Sequence, residues 1–142
     1  MINDVITGIT DAIYEAFGDD YEIYTEDIEQ GMKEPCFLVK CISPQKDVFL
    51  GNRYQESYQC VIHYFPHTQK PLEEINDVIE QLIECLGGIY IGGDFVFGMD
   101  MNAETEDHVL HFFVSYRFFT YSKNAGPAMA QIKMKGGMKD GR

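Results

Sequence analysis

The sequence contains no tryptophan and few basic residues: 11 Lys and Arg stand against 23 Asp and Glu, a net charge of −12. Proteins that bind nucleic acid present positive charge to the phosphates, so this composition argues against a DNA- or RNA-binding function. The sequence also lacks any run near the roughly 20 apolar residues of a membrane span, and its N-terminus has no basic region followed by an apolar run. We therefore expect a soluble intracellular chain with no membrane partner.

Paired-cysteine motifs are missing as well. The four cysteines have no metal-binding or redox spacing, and an intracellular chain keeps such thiols reduced: Cys36, Cys41, Cys60 and Cys85. Cys36 and Cys41 lie five positions apart in an expected strand, so their side chains point to opposite faces. We expect no disulfides and interpret the four residues as small core side chains.

Signatures of catalysis are absent in the same way. No serine lies in a nucleophile elbow, and no glycine-rich phosphate loop opens a helix. Two pairs of histidines are close in sequence, but His108 and His111 point to opposite faces of a strand, and Pro66 separates His63 from His67. The sequence therefore predicts no metal site, no cofactor and no catalytic residue.

What the sequence does contain suits one compact domain. Its 142 residues are 45% hydrophobic and 13% aromatic, which is enough for a sizeable core. The charge is unevenly distributed, because residues 122–142 hold five bases and one acid and so carry +4, which leaves −16 on residues 1–121. We expect a single domain over residues 1–121 and a basic, flexible C-terminal arm over residues 122–142.

Two amphipathic helices are marked by apolar residues at helical spacing. The first covers residues 2–17, with Asn3 or Asp4 as the expected N-cap and Gly18 as the C-terminal stop. The second begins at Pro71 and ends before a Gly-Gly pair. Its apolar stripe consists of Leu72, Ile75, Val78, Ile79, Leu82, Ile83 and Leu86. Each helix therefore has one face to bury.

Alternating apolar and polar residues predict five strands, over residues 21–24, 35–42, 53–65, 94–102 and 109–121. The pair Gly92-Gly93 and the acidic segment 104–107 are predicted to be turns. Strands grouped in this way, without a helix between each pair, indicate an α+β fold. We expect a mainly antiparallel sheet with two helices packed on one face.

Tyrosines on the expected strands are candidates for contacts between subunits, because tyrosine buries area and keeps a hydroxyl for hydrogen bonding. The basic arm adds lysines interleaved with apolar residues. The predicted interface residues are Arg53, Tyr54, Tyr58, Lys133, Lys135 and Lys139. Core packing of the tyrosines and a purely solubilising arm are the alternative interpretations.

Four blocks of sequence carry a family resemblance. The first helix continues into Gly-Asp-Asp-Tyr-x-Ile-Tyr at residues 18–24, and Gln-Gly-Met-Lys-Glu-Pro-Cys-Phe follows at residues 30–37. Phe-Leu-Gly-Asn-Arg-Tyr stands at residues 49–54, ahead of a strand that ends in His-Tyr-Phe-Pro, and His-Phe-Phe-Val-Ser-Tyr stands at residues 111–116. Over roughly residues 5–121 the chain resembles the tail terminator family of phages, prophages and tail-like bacteriocins of Gram-positive bacteria.

The resemblance implies a structural protein and not an enzyme. Such subunits form a homo-hexameric ring on the last ring of the tail tube protein, stop tube polymerisation and make the surface that joins a neck or connector protein. In a contractile tail the ring also holds the top of the sheath. The resemblance implies a place in the virion tail or neck after assembly in the host cytoplasm. DNA would pass through the lumen without specific binding, since an acidic body repels phosphate.

Two other functions stay open at this point. Another head-to-tail joining protein, or a minor capsid protein, can have a similar small fold. A cytosolic small-molecule-binding protein or enzyme would show a pocket with several converging polar groups of perturbed pKa.

Overall fold

A computed structural model of the chain describes residues 1–26 and 31–121. The described residues form two helices and six strands: α1 (Ile2–Phe17), β1 (Glu22–Tyr24), β2 (Cys36–Leu50), β3 (Arg53–Phe65), α2 (Pro71–Cys85), β4 (Gly88–Ile91), β5 (Asp94–Glu106) and β6 (Val109–Tyr121). The strands lie in one mostly antiparallel sheet in the order β1-β2-β3-β6-β5-β4, with β1 parallel to β2. The predicted α+β fold is confirmed.

The chain divides into two compact units. The main unit comprises Met1–Pro44 and Tyr58–Arg117, and contains both helices. The hairpin unit comprises Gln45–Ser57 and Phe118–Arg142, of which the structure describes residues 45–57 and 118–121. A single domain over residues 1–121 stays a prediction, and the arm predicted over residues 122–142 lies outside the described residues.

The core of the main unit lies between the helices and one face of the sheet. The Phe37 ring of β2 packs against Phe17 of α1 and Tyr64 of β3, with centroids 4.9 Å apart in both pairs. The Tyr116 hydroxyl of β6 donates a 2.7 Å hydrogen bond to the carbonyl of Leu86, just after α2. Burial of each large apolar side chain contributes about 1.5–3 kcal/mol. The helices bury Val5, Ile9, Ile13, Ile75, Val78 and Leu82.

The ends of α1 follow the sequence prediction at one terminus only. Gly18, with φ +84°, ends the helix as expected. The expected N-cap at Asn3 or Asp4 is wrong, because the helix already begins at Ile2 and places Met1 at the cap position. Asp4 lies in the first turn instead, where its carboxylate is 3.6 Å from the N-terminal ammonium group.

Two strands are longer than predicted, and a third was not predicted. β2 continues beyond residue 42 to Leu50, and the short strand β4 was not predicted because glycine pairs flank it. β5 runs through the expected turn at residues 104–107 and ends at Glu106. The turn itself is Asp107-His108, where both residues have positive φ, and Glu106 pairs directly with Val109. This geometry is that of a two-residue hairpin turn of the primed type.

Glu74, in the first turn of α2, fixes the loop between β3 and α2. Its carboxylate accepts hydrogen bonds from the Tyr64 hydroxyl, from the Thr68 backbone N–H at 2.9 Å and from the His67 backbone N–H at 3.3 Å. Burial opposes the charged form, but these hydrogen bonds outweigh it and hold the pKa of Glu74 below its usual value of 4.5. The carboxylate therefore stabilises the fold in its ionised form.

Replacing Glu74 with glutamine is expected to lower the free energy of unfolding by about 1–2 kcal/mol at pH 7, because charge-assisted hydrogen bonds become neutral ones. A lowered folded-state pKa gives stability that is present above the unfolded pKa and is lost as the pH falls through the folded value. Urea unfolding should thus show that the wild-type chain and the Glu74→Gln variant differ less in their free energy of unfolding at pH 3 than at pH 7. Glu73→Gln, an exposed neighbour, is the control, and a pH-independent difference would contradict this account of Glu74.

Candidate subunit interface

The structure separates the residues of the predicted interface. Arg53 and Tyr54 lie together at the start of β3 in the hairpin unit. Tyr58 belongs to the main unit and is only 5% exposed, so its ring is part of the core there. Lys133, Lys135 and Lys139 lie outside the described residues.

Arg53 is the centre of an aromatic cluster in the hairpin unit. Its guanidinium carbon lies 4.7 Å from the centroid of the Phe119 ring and 5.2 Å from that of Phe49, and the two rings are 4.8 Å apart. Cation–π attraction of this kind strengthens as the cation is desolvated. The Arg53 Nε atom is buried and has no hydrogen-bond partner in the described part of the chain. The two rings therefore contact a guanidinium whose Nε atom is removed from water.

Large apolar side chains of the same unit are exposed to solvent. Val48 is 71% exposed, Leu50 66%, Phe49 52%, Phe119 44% and Tyr121 66%. We call these five residues and Arg53 the hairpin surface. Contiguous exposed apolar patches in soluble proteins mark contact sites for other molecules. The described residues of the unit carry two bases and two acids, so this surface lacks the acidic surplus of the rest of the chain.

A second exposed apolar surface lies on β4 and β5 in the main unit. The rings of Tyr90, Phe95 and Phe97 form a row with 5.2 Å between successive centroids. They are 66%, 50% and 69% exposed, whereas Ile89 and Val96 on the other face of the same strands are buried. We call the three rings the ladder surface. The alternation in β5 is visible in the sequence, but the sequence does not reveal that its aromatic face points to solvent.

Two histidines on neighbouring strands are in contact, a pair that the sequence did not suggest. His63 of β3 and His111 of β6 have ring centroids 4.7 Å apart and planes at 81°. The strand order brings them together, and that order is not visible in the sequence. Among residues 1–26 and 31–121, no group of three or more His, Cys, Asp or Glu is placed to hold a metal ion.

The four cysteines are free thiols, and three of them have raised pKa values. Burial, with smaller contributions from nearby carboxylates, raises the pKa of Cys36 and of Cys85 to about 11. Burial and the neighbouring Cys41 raise the pKa of Cys60 as well. Thiols with such values stay protonated at neutral pH and are poor nucleophiles.

Replacing His63 with asparagine, or Cys36 or Cys41 with alanine, is expected to leave particle assembly intact. Each change removes a reactive group with little loss of volume, so in most of these variants the free energy of unfolding should fall by about 1 kcal/mol. Thermal unfolding and the yield of complete particles measure the two effects separately. A variant that keeps its fold but loses all assembly would show that one of these groups has a chemical role.

The chain has a small α+β fold, and each of its two units exposes large apolar side chains of the kind that proteins use to contact other molecules. A family model described as phage tail terminator protein matches residues 4–128, which is most of the sequence. The chain therefore belongs to the phage tail terminator family, and the resemblance inferred over residues 5–121 is confirmed at the level of the family.

A search of curated proteins found no match to this chain. In the part of the chain that the structure describes, neither helix has the length and apolar character needed to cross a membrane.

Proposed function

We propose that this chain is a structural subunit, and not an enzyme, that caps the tail tube as a homo-hexameric ring. The ring stops polymerisation of the tail tube protein and presents its other side to a neck or connector protein. In a contractile tail it also holds the top of the sheath. The family match over residues 4–128 is the observation that carries this proposal.

The two exposed surfaces support a ring. A closed cycle of identical subunits uses heterologous contacts, in which one surface of each copy meets a different surface of the next. The hairpin surface contains a cation in contact with two rings, and the ladder surface contains three aromatic rings without a cation. Each chain thus has two chemically different contact surfaces, which is what a ring subunit with several partners needs.

The acidic body supports passage of DNA through the ring. Residues 1–121 carry a net charge of −16, and like charge repels the phosphate backbone. DNA therefore crosses the lumen without specific binding, and the proposal includes no cofactor and no membrane partner. We place the protein in the tail or neck of virions, prophage particles or tail-like bacteriocins of Gram-positive hosts, after assembly in the host cytoplasm.

Assembling particles without this chain tests the proposal. The expected result is tubes that grow beyond the normal tail length, together with heads that have no attached tail. Supplying the wild-type chain from a second copy should restore both properties. Tails of normal length that merely fail to join heads would contradict termination and would favour a head-to-tail joining protein.

A further inference from the structure

A groove in the main unit runs between α1 and β4. It encloses about 410 Å³, and small side chains leave it open: its lining includes Gly8, Ala12 and Ala16 of α1 and Gly88 of β4. The helix approaches the strand closely at Gly8, where a β-carbon would lie 2.5 Å from the carbonyl oxygen of Tyr90. β4 is an edge strand of the sheet. Edge strands are common docking sites for extended segments.

The groove has an acidic border. Asp11 and Glu15 line it from successive turns of α1, and both residues are exposed. Neither carboxylate has an ion-pair partner among the residues that the structure describes. Neither α1 nor α2 contains a lysine or arginine. The groove therefore offers apolar space beside two unpaired negative charges.

One segment of this chain has the complementary sequence. Residues 131–135 read Gln-Ile-Lys-Met-Lys, and residues 122–142 carry a net charge of +4. In an extended conformation Ile132 and Met134 share one side, and Lys133 and Lys135 share the other. Lysine side chains are long enough to place their ammonium groups at the border of a groove while their stems stay in apolar contact.

We propose that residues 131–135 of a neighbouring copy dock in the groove between α1 and β4. Ile132 and Met134 fill the space above Ala12 and Ala16, while the lysines meet Asp11 and Glu15. This inference rests on the proposed ring, in which every copy has a neighbour. The ten residues 122–131 span up to about 35 Å when extended, enough to reach an adjacent subunit.

A labelled peptide tests the docking without tail assembly. A fluorescent synthetic peptide of residues 128–139 is titrated with the full-length chain, and binding is followed by fluorescence anisotropy. We expect saturable binding that Asp11→Lys with Glu15→Lys weakens about tenfold or more. Glu73→Lys with Asp77→Lys makes the same charge change on α2, away from the groove, and should alter the affinity less than about twofold.

Three outcomes would overturn the docking. The first is that the peptide shows no saturable binding even at millimolar protein. The second is that the groove variant and the α2 variant lose the same amount of affinity for the peptide. The third is that the peptide binds only when the full-length chain carries Lys133→Glu and Lys135→Glu. The last result would show that each groove is filled by its own chain. If the peptide does not bind but tubes still overgrow in the absence of the chain, this inference is rejected and the proposed function is not.

Discussion

Replacing Tyr90 and Phe97 together with threonine is expected to leave the subunit folded and to abolish the formation of complete tails. Both side chains are about two-thirds exposed, so the fold loses little, and threonine is well suited to a strand. Exposed aromatic residues at the centre of an interface each contribute about 2 kcal/mol or more to binding. Loss of two such residues weakens a contact by roughly a thousandfold.

Electron microscopy would measure the yield of complete particles. Thermal unfolding would measure the stability of the purified subunit. Ile42→Thr is the matched control, since Ile42 is an exposed apolar strand residue of the main unit outside the ladder surface. Phe95 is left unchanged because its ring lies against Gly88. A normal yield of complete particles from the double variant would show that the ladder surface is not a contact site.

Deleting residues 123–142 is expected to give subunits that fold but tails that have abnormal length or detach at the neck. The core of the main unit is built from residues before 118, so the deletion removes no buried helix or strand of that unit. It does remove five of the 11 basic residues and one acid, a net charge of +4 that complements an acidic body. Because individual surface ion pairs contribute only about 0–1 kcal/mol, the apolar residues of the arm must supply part of the binding.

The length distribution of negatively stained tails and circular dichroism of the purified chain would test the deletion. A variant with Lys133, Lys135 and Lys139 changed to glutamine keeps the length of the arm and removes its central charges. We expect an intermediate defect from this variant. Normal length and normal attachment after the full deletion would show that the arm has no part in capping.

The helices and the strands β3 and β6 were predictable because their signals are local. Residues 2–17 bury one stripe, and the bounds of β3 and β6 coincide with their apolar alternation. β4 has four residues, of which only Ile89, Tyr90 and Ile91 lie between the two glycine pairs, so its pattern is too short to distinguish from a turn. The extension of β5 depended on a turn at Asp107-His108, where two successive non-glycine residues have positive φ, an uncommon arrangement even though Asp and His adopt it more often than most residues.

The candidate interface was only partly accessible to sequence reasoning. Arg53 and Tyr54 were predicted to be interface residues, which stays a prediction, and the structure places both in the hairpin unit. Of the two rings that contact Arg53, Phe49 is near it in sequence, but Phe119 comes from the distant strand β6. Which face of an alternating strand meets solvent depends on where the helices pack. The ladder surface and the groove beside α1 therefore became visible only in three dimensions.

Electron cryo-microscopy of completed tails tests the central claim most directly. The account predicts one ring of six copies of this chain at the head-proximal end of the tube, and in no other position along it. Copies distributed along the tube, a single copy at the junction, or mature tails that lack the chain would contradict it.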